Sequence, residues 1–207
     1  MKGSGSKGKK EPPGGALSRS TESALIDALY LALTLATSFM SFSLIQLRLA
    51  EALASLPALF PSAIPGLFLG CLLANLMNPQ PLGLVDILAG SLVTFLAAFL
   101  TWRLAAPWRR SLAQQVEAGT TSPPMGLVRL LPALLAPILL NALIVGSYLP
   151  FLLQSGRPSL AVVAASIGSI FISQSLVIMG LGLPLVLALR WTPWAKREYL
   201  SQGGAES

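Results

Sequence analysis

Within six positions the chain sets an amide, a guanidinium and a carboxylate, Gln46, Arg48 and Glu51, into an otherwise apolar stretch. Ionisable groups are costly in hydrocarbon, so where they persist they mark a ligand site, an ion path or an internal pair. Arg48 and Glu51 are three residues apart; on a helix they share a face and can pair, which is the structural alternative to ligand contact. Further polar groups recur at Asn75, Asn78, Asp86 and Asn141, and then at Ser166, Ser169, Ser173, Gln174 and Ser175. A carboxylate accepts paired hydrogen bonds from an amidine-like edge, and Asn or Gln matches a carbonyl or ring nitrogen. Tyr30, Phe39, Phe42 or Tyr148 can cover an aromatic ring. The chemistry expected is a pocket for a small polar molecule, built around Gln46, Arg48, Glu51, Asn75, Asp86, Asn141 and Ser169. Asp27, near the start of the first apolar helix, is expected to be solvated or to favour the helix N-terminus.

The chain has no histidine and a single cysteine, Cys71. A serine-histidine triad, a cysteine metal cage and an intramolecular disulfide are thereby disfavoured. No nucleophile–base pair emerges, so an enzyme is not expected, and the pocket calls for no metal or redox cofactor. There is no Walker-type glycine loop, so active transport would need a partner or an ion gradient for power.

The elements that position these groups are helices in a membrane. A composition that is 54% hydrophobic and only 11% charged lies outside the range of soluble domains, and mean hydropathy is +0.71. Apolar length places spans at about 23–43, 48–60, 62–78, 83–106, 127–154 and 159–190. The second is short and bounded by Pro57 and Pro61, so 48–78 is alternatively one broken helix. Basic residues cluster before the first span (Lys2, Lys7, Lys9, Lys10, Arg19), around the fourth connection (Arg103, Arg109, Arg110, Arg129) and near the end (Arg190, Lys196, Arg197). Six spans put all three clusters on one side, as the positive-inside rule demands; five do not. The expectation is an all-α membrane protein, a six-transmembrane-helix bundle with both termini cytoplasmic, multi-pass in the cell (plasma) membrane. Residues 1–22 read as a disordered basic tail, 23–192 as the membrane domain and 193–207 as a C-terminal tail. The polar groups then gather toward the outer face.

Ala24, Ala28, Ala32 and Ala36 recur every four residues and form a flat stripe suited to close helix contact, inside the chain or with a partner. Gly66, Gly70 and Ala74 form a second stripe, expected to pack internally. Gly168, Gly180 and Gly182 suggest close packing or a bend, with a kink at Pro184.

The run Ile45-Gln46-Leu47-Arg48-Leu49-Ala50-Glu51-Ala52-Leu53, followed by Leu56-Pro57, Pro61-Ser62-Ala63-Ile64-Pro65-Gly66-Leu67-Phe68-Leu69-Gly70-Cys71 and Leu73-Ala74-Asn75, resembles the QueT family of queuosine-precursor transporters. The likeness continues through residues 82–94 and 141–146 and covers about residues 24–190. It implies a substrate-binding S component of an energy-coupling-factor (ECF) transporter: six helices that capture a micronutrient at the outer face, with no nucleic-acid role. A transmembrane T component and two cytoplasmic ATPases would drive uptake. It implies a deazaguanine ligand whose guanine-like edge suits Glu51, and a T-component surface at Ala28, Ala32 and Ala36. At one position the chain departs from the family pattern, carrying Ser169 after Gly168 where a glutamate is often found, so edge recognition falls on Glu51 or Asp86. A stand-alone ion-coupled transporter working through Glu51, Asp86 or Asp27, and a membrane scaffold, are the alternatives from other classes.

Overall fold

The computed structural model describes residues 14–37, 48–78, 82–119, 126–154 and 156–203. Gln46, Phe39, Phe42, the end of the first expected span and most of the basic tail lie outside these residues. Every regular element among the described residues is helical: α1 Gly14–Ala36, a 3-10 helix Leu49–Ala58, α2 Ala63–Leu76, α3 Leu84–Leu104, α4 Ala106–Glu117, α5 Leu127–Leu140, α6 Gly146–Leu153, α7 Leu160–Val177, α8 Leu183–Leu189 and α9 Pro193–Gly203. A π segment, Asn141–Val145, joins α5 to α6, and a second, Ile178–Gly182, joins α7 to α8, so each pair forms one long rod.

Three described helices, Leu84–Leu104, Leu127–Leu153 and Leu160–Leu189, are long and apolar enough to cross a membrane. Outward-facing Leu88, Leu92, Phe95, Leu135, Leu139 and Leu176 leave their surfaces apolar, as lipid contact requires. The second expected span takes a different form. Residues 49–58 make a 10-residue 3-10 helix, about 20 Å long at ~2 Å per residue, and Ala50 through Phe60 are all buried. Its neighbours are α1, α2, α3, α5, α7, α8 and the second π segment. The segment is the hub of the bundle, and small Ala50, Ala52, Ala54, Ser55 and Ala58 keep it thin enough to be surrounded. Pro57 has no N–H for a helical ladder, and the chain reverses over Leu59–Ser62 into α2. The broken single helix over 48–78 is therefore not what forms.

Glycines set the closest approaches. At Gly66 a Cβ would lie 2.6 Å from the Ser23 carbonyl oxygen, and at Gly70 it would lie 2.9 Å from the Tyr30 Cβ. The second small stripe thus seats α2 on α1, as expected. Gly182 meets the 3-10 helix, where the Ser55 hydroxyl donates to the Gly182 carbonyl at 3.1 Å. A π segment stands there, directly ahead of Pro184. Gly168 and Gly180 have open space at their Cβ positions, so they make no close packing.

Two elements tie off one end of the bundle. α4 buries Trp108 and Leu112, and α9 buries Ala195 and Tyr199. Buried Arg109 donates to the carbonyls of Ala58 at 3.1 Å and Trp102 at 2.7 Å. Glu22 accepts from the Ser62 hydroxyl at 2.8 Å and from the Trp194 indole, while Arg19 pairs with Glu198 at 3.3 Å. The start of α1, the start of α2 and α9 therefore meet. Against expectation, residues 193–203 are a packed helix, and helical structure begins at Gly14, ahead of residue 23.

Candidate functional site

Glu51, in the first turn of the 3-10 helix, is 2% exposed and faces three other elements. The Tyr30 hydroxyl of α1 donates to Glu51 Oε1 at 2.9 Å, and Asn141 Nδ2, at the start of the first π segment, reaches Oε2 at 3.5 Å. The Gln174 side chain of α7 lies beside it and acts on it electrostatically. A phenol and two amides thus enclose a group that, as a carboxylate, only accepts. Tyr30 therefore supplies a hydroxyl here, where the sequence had suggested ring stacking.

The Arg48 side chain forms neither an ion pair nor a hydrogen bond among the described residues, so the structural alternative, pairing with Glu51, is not made. The reason is local. Arg48 is the N-cap, with extended backbone (φ −86°, ψ 91°), which takes its side chain off the helical face that carries Glu51. Its half-buried guanidinium acts electrostatically on both Glu51 and Asp86.

Asp86, in the first turn of α3, repeats the tyrosine–carboxylate arrangement: the Tyr148 hydroxyl of α6 donates to its Oδ1 at 2.9 Å. Gly90, one turn on, makes room for it. A Cβ there would lie 3.3 Å from Asn75 Nδ2, 3.5 Å from the Tyr148 hydroxyl and 3.8 Å from Asp86 Oδ1. Asn75 donates weakly to Cys71 Sγ at 3.6 Å, and the Thr94 hydroxyl approaches the same sulfur at 3.4 Å. Two carboxylates, each capped by a tyrosine, thus flank one arginine.

A small half-open cleft, with a cavity volume of about 20 Å³, is lined by Arg48, Asn141, Val145, Ile170, Ser173 and Gln174. Gln174 Oε1 is buried and has no hydrogen-bond partner among the described residues. Of the residues expected from sequence, the structure brings Arg48, Glu51 and Asn141 together and sets Asn75 and Asp86 in the adjoining cluster. Ser169 is half-buried on α7, one turn before Ser173, and is not part of this cleft wall. Sequence reasoning passed over Gln174 within its serine-rich strip. The available signal was an amide inside an apolar helix, where it must find a partner.

Ala24, Ala28, Ala32 and Ala36 are all exposed along α1, while Ile26 and Tyr30 form its buried side. Asp27 is half-buried in mid-helix rather than near the helix start, and its Oδ1 has no hydrogen-bond partner among the described residues.

No curated protein and no solved structure matches the chain. The family model of the QueT transporters matches it over residues 20–191, a region that takes in most of α1, all of α2 through α8, the 3-10 hub and both carboxylate clusters. The chain is therefore a membrane transport protein that belongs to the QueT transporter family.

Proposed function

We propose that the chain is the substrate-binding S component of an ECF-type importer and captures a queuosine precursor, a deazaguanine such as pre-queuosine, at the outer face of the cell membrane. A T component and two cytoplasmic ATPases supply the drive. The observation that carries this reading is the half-open cleft between Arg48, Asn141, Ser173 and Gln174, backed by buried Glu51. Donors and acceptors converge there with apolar Val145 and Ile170, as a flat polar heterocycle requires.

Sidedness follows from charge. Arg103, Arg110, Lys196 and Arg197 lie on the elements that gather at the α4/α9 end, which the positive-inside rule makes cytoplasmic. The cleft belongs to the opposite half, since Tyr30 is eight residues along α1 from Glu22, about 12 Å at 1.5 Å per residue. The 3-10 hub and α2 count as two short traverses, completing six, with both termini cytoplasmic. Exposed Ala28, Ala32 and Ala36 offer a flat face for the T component. Ser169 lies off the cleft wall, so its lack of a carboxylate takes nothing from that wall.

The test is equilibrium binding of pre-queuosine to purified protein in detergent, with Glu51→Gln measured alongside. Wild type should bind saturably, and Glu51→Gln should bind about 10–100-fold more weakly, because an amide has one accepting oxygen and cannot serve both of its donors. Absence of wild-type binding would sink the substrate reading. Uptake by cells lacking the T component and ATPases would favour the ion-coupled alternative.

A further inference from the structure

Glu51 was expected to face the ligand edge, yet Tyr30 and Asn141 already occupy its two oxygens, with Gln174 beside it. The unsatisfied groups lie beside it. Arg48 lines the cleft with five N–H donors and no partner among the described residues. Gln174 lines the same cleft, and its Oε1 is buried and orphaned. The orientation of that amide is set by chemistry, since a flip would press its oxygen against the Glu51 carboxylate. The Glu51 charge therefore draws the Gln174 amide N–H side toward it and turns the carbonyl away.

We infer that Arg48 and Gln174 are the specificity-determining pair, Arg48 donating to a ring carbonyl and Gln174 accepting from the adjacent ring N–H, so that the cleft selects a lactam edge over an amino-substituted one. The inference rests on the transport reading above and assigns Glu51 a positioning role. A carbonyl suits Arg48 better than an anion does, because Glu51 and Asp86 flank the guanidinium and leave the region formally negative. A ring bearing an amino group in place of the carbonyl would aim a donor at the Arg48 donors and leave Gln174 Oε1 unpaired, a mismatch that polar sites reject strongly.

The experiment compares binding of pre-queuosine with binding of its 6-amino counterpart, in wild type, Arg48→Met, Arg48→Lys and Gln174→Met, each confirmed folded by a cooperative thermal transition. Wild type should prefer the lactam by at least about 100-fold. Arg48→Met and Gln174→Met should each reduce that preference to below about tenfold, while Arg48→Lys, which keeps a donor, should retain most of it. Equal wild-type binding of the two ligands overturns the inference and leaves the transport reading intact. So does an undiminished preference in Gln174→Met, which decides the matter where Arg48→Met fails to fold. Wild type that binds neither ligand overturns both.

Discussion

Replacing Tyr30 by Phe removes one oxygen atom and leaves Glu51 Oε1 without its 2.9 Å donor. Both residues are 2% exposed, so water does not readily replace the hydroxyl. Asn141 cannot take over, because it serves the other oxygen and at 3.5 Å is already at the limit of hydrogen-bond range. A hydrogen bond to a charged group contributes about 1.5–3 kcal/mol, and a buried acceptor left unpaired costs the same order. For a chain of this size each kcal/mol moves the thermal midpoint by about 2–4 °C, so Tyr30→Phe should unfold about 3–12 °C below wild type. Cys71 provides the assay: it is the sole cysteine and 2% exposed, so reaction with a thiol-specific dye in detergent reports unfolding. In a double-mutant cycle, Tyr30→Phe should cost distinctly less in a Glu51→Gln background, since the carboxylate it served is gone. A midpoint within about 1 °C of wild type, or strictly additive effects, would refute the reasoning that this bond anchors α1 to the hub.

Three further outcomes are expected. Gly66→Ala should destabilise by about 1–3 kcal/mol in the same assay, because its Cβ would sit 2.6 Å from the Ser23 carbonyl oxygen, whereas Gly168→Ala, with open space, should be neutral or stabilising by up to about 1 kcal/mol. Arg19→Ala should change stability by less than about 1 kcal/mol, since the Arg19 side chain in the Glu198 ion pair is 58% exposed and screened; a larger loss would mean this contact anchors α9. Ala32→Leu should lower uptake in cells that carry the T component and ATPases while leaving ligand binding unchanged; loss of binding would show that the exposed stripe serves the fold instead.

Helices bounded by polar or turn-forming residues were closely legible. The spans expected at 83–106, 127–154 and 159–190 correspond to helices Leu84–Leu104, Leu127–Leu153 and Leu160–Leu189. Each is a long apolar run that ends where loop residues begin, and apolar length alone sets such boundaries. Residues 106–117 went unread because α4 is amphipathic and lies at the end of the bundle, burying Trp108 and Leu112 under a polar outer side. The same criterion gave 48–60 as a short span and did not show that it is a 3-10 helix enclosed by the other helices. Hydropathy cannot tell a segment buried in lipid from one buried among other helices, and here the small residues that thin the segment were the overlooked sign.

For the site, sequence alone determined which groups are costly: Arg48, Glu51, Asp86 and Asn141 lie in apolar surroundings wherever the helices pack, and each must find a partner or a ligand. It also determined the membrane class, through composition. Tertiary structure alone decided the partners. Tyr30 reaches Glu51 across 21 positions, Tyr148 reaches Asp86 across 62 and Asn141 reaches Glu51 across 90. Such pairings depend on helix order, on close approaches at Gly66, Gly70 and Gly90, and on the extended backbone at Arg48 that undoes the local pairing. Residue spacing encodes faces of single helices; which face meets which is settled only when the whole bundle packs around its 3-10 hub.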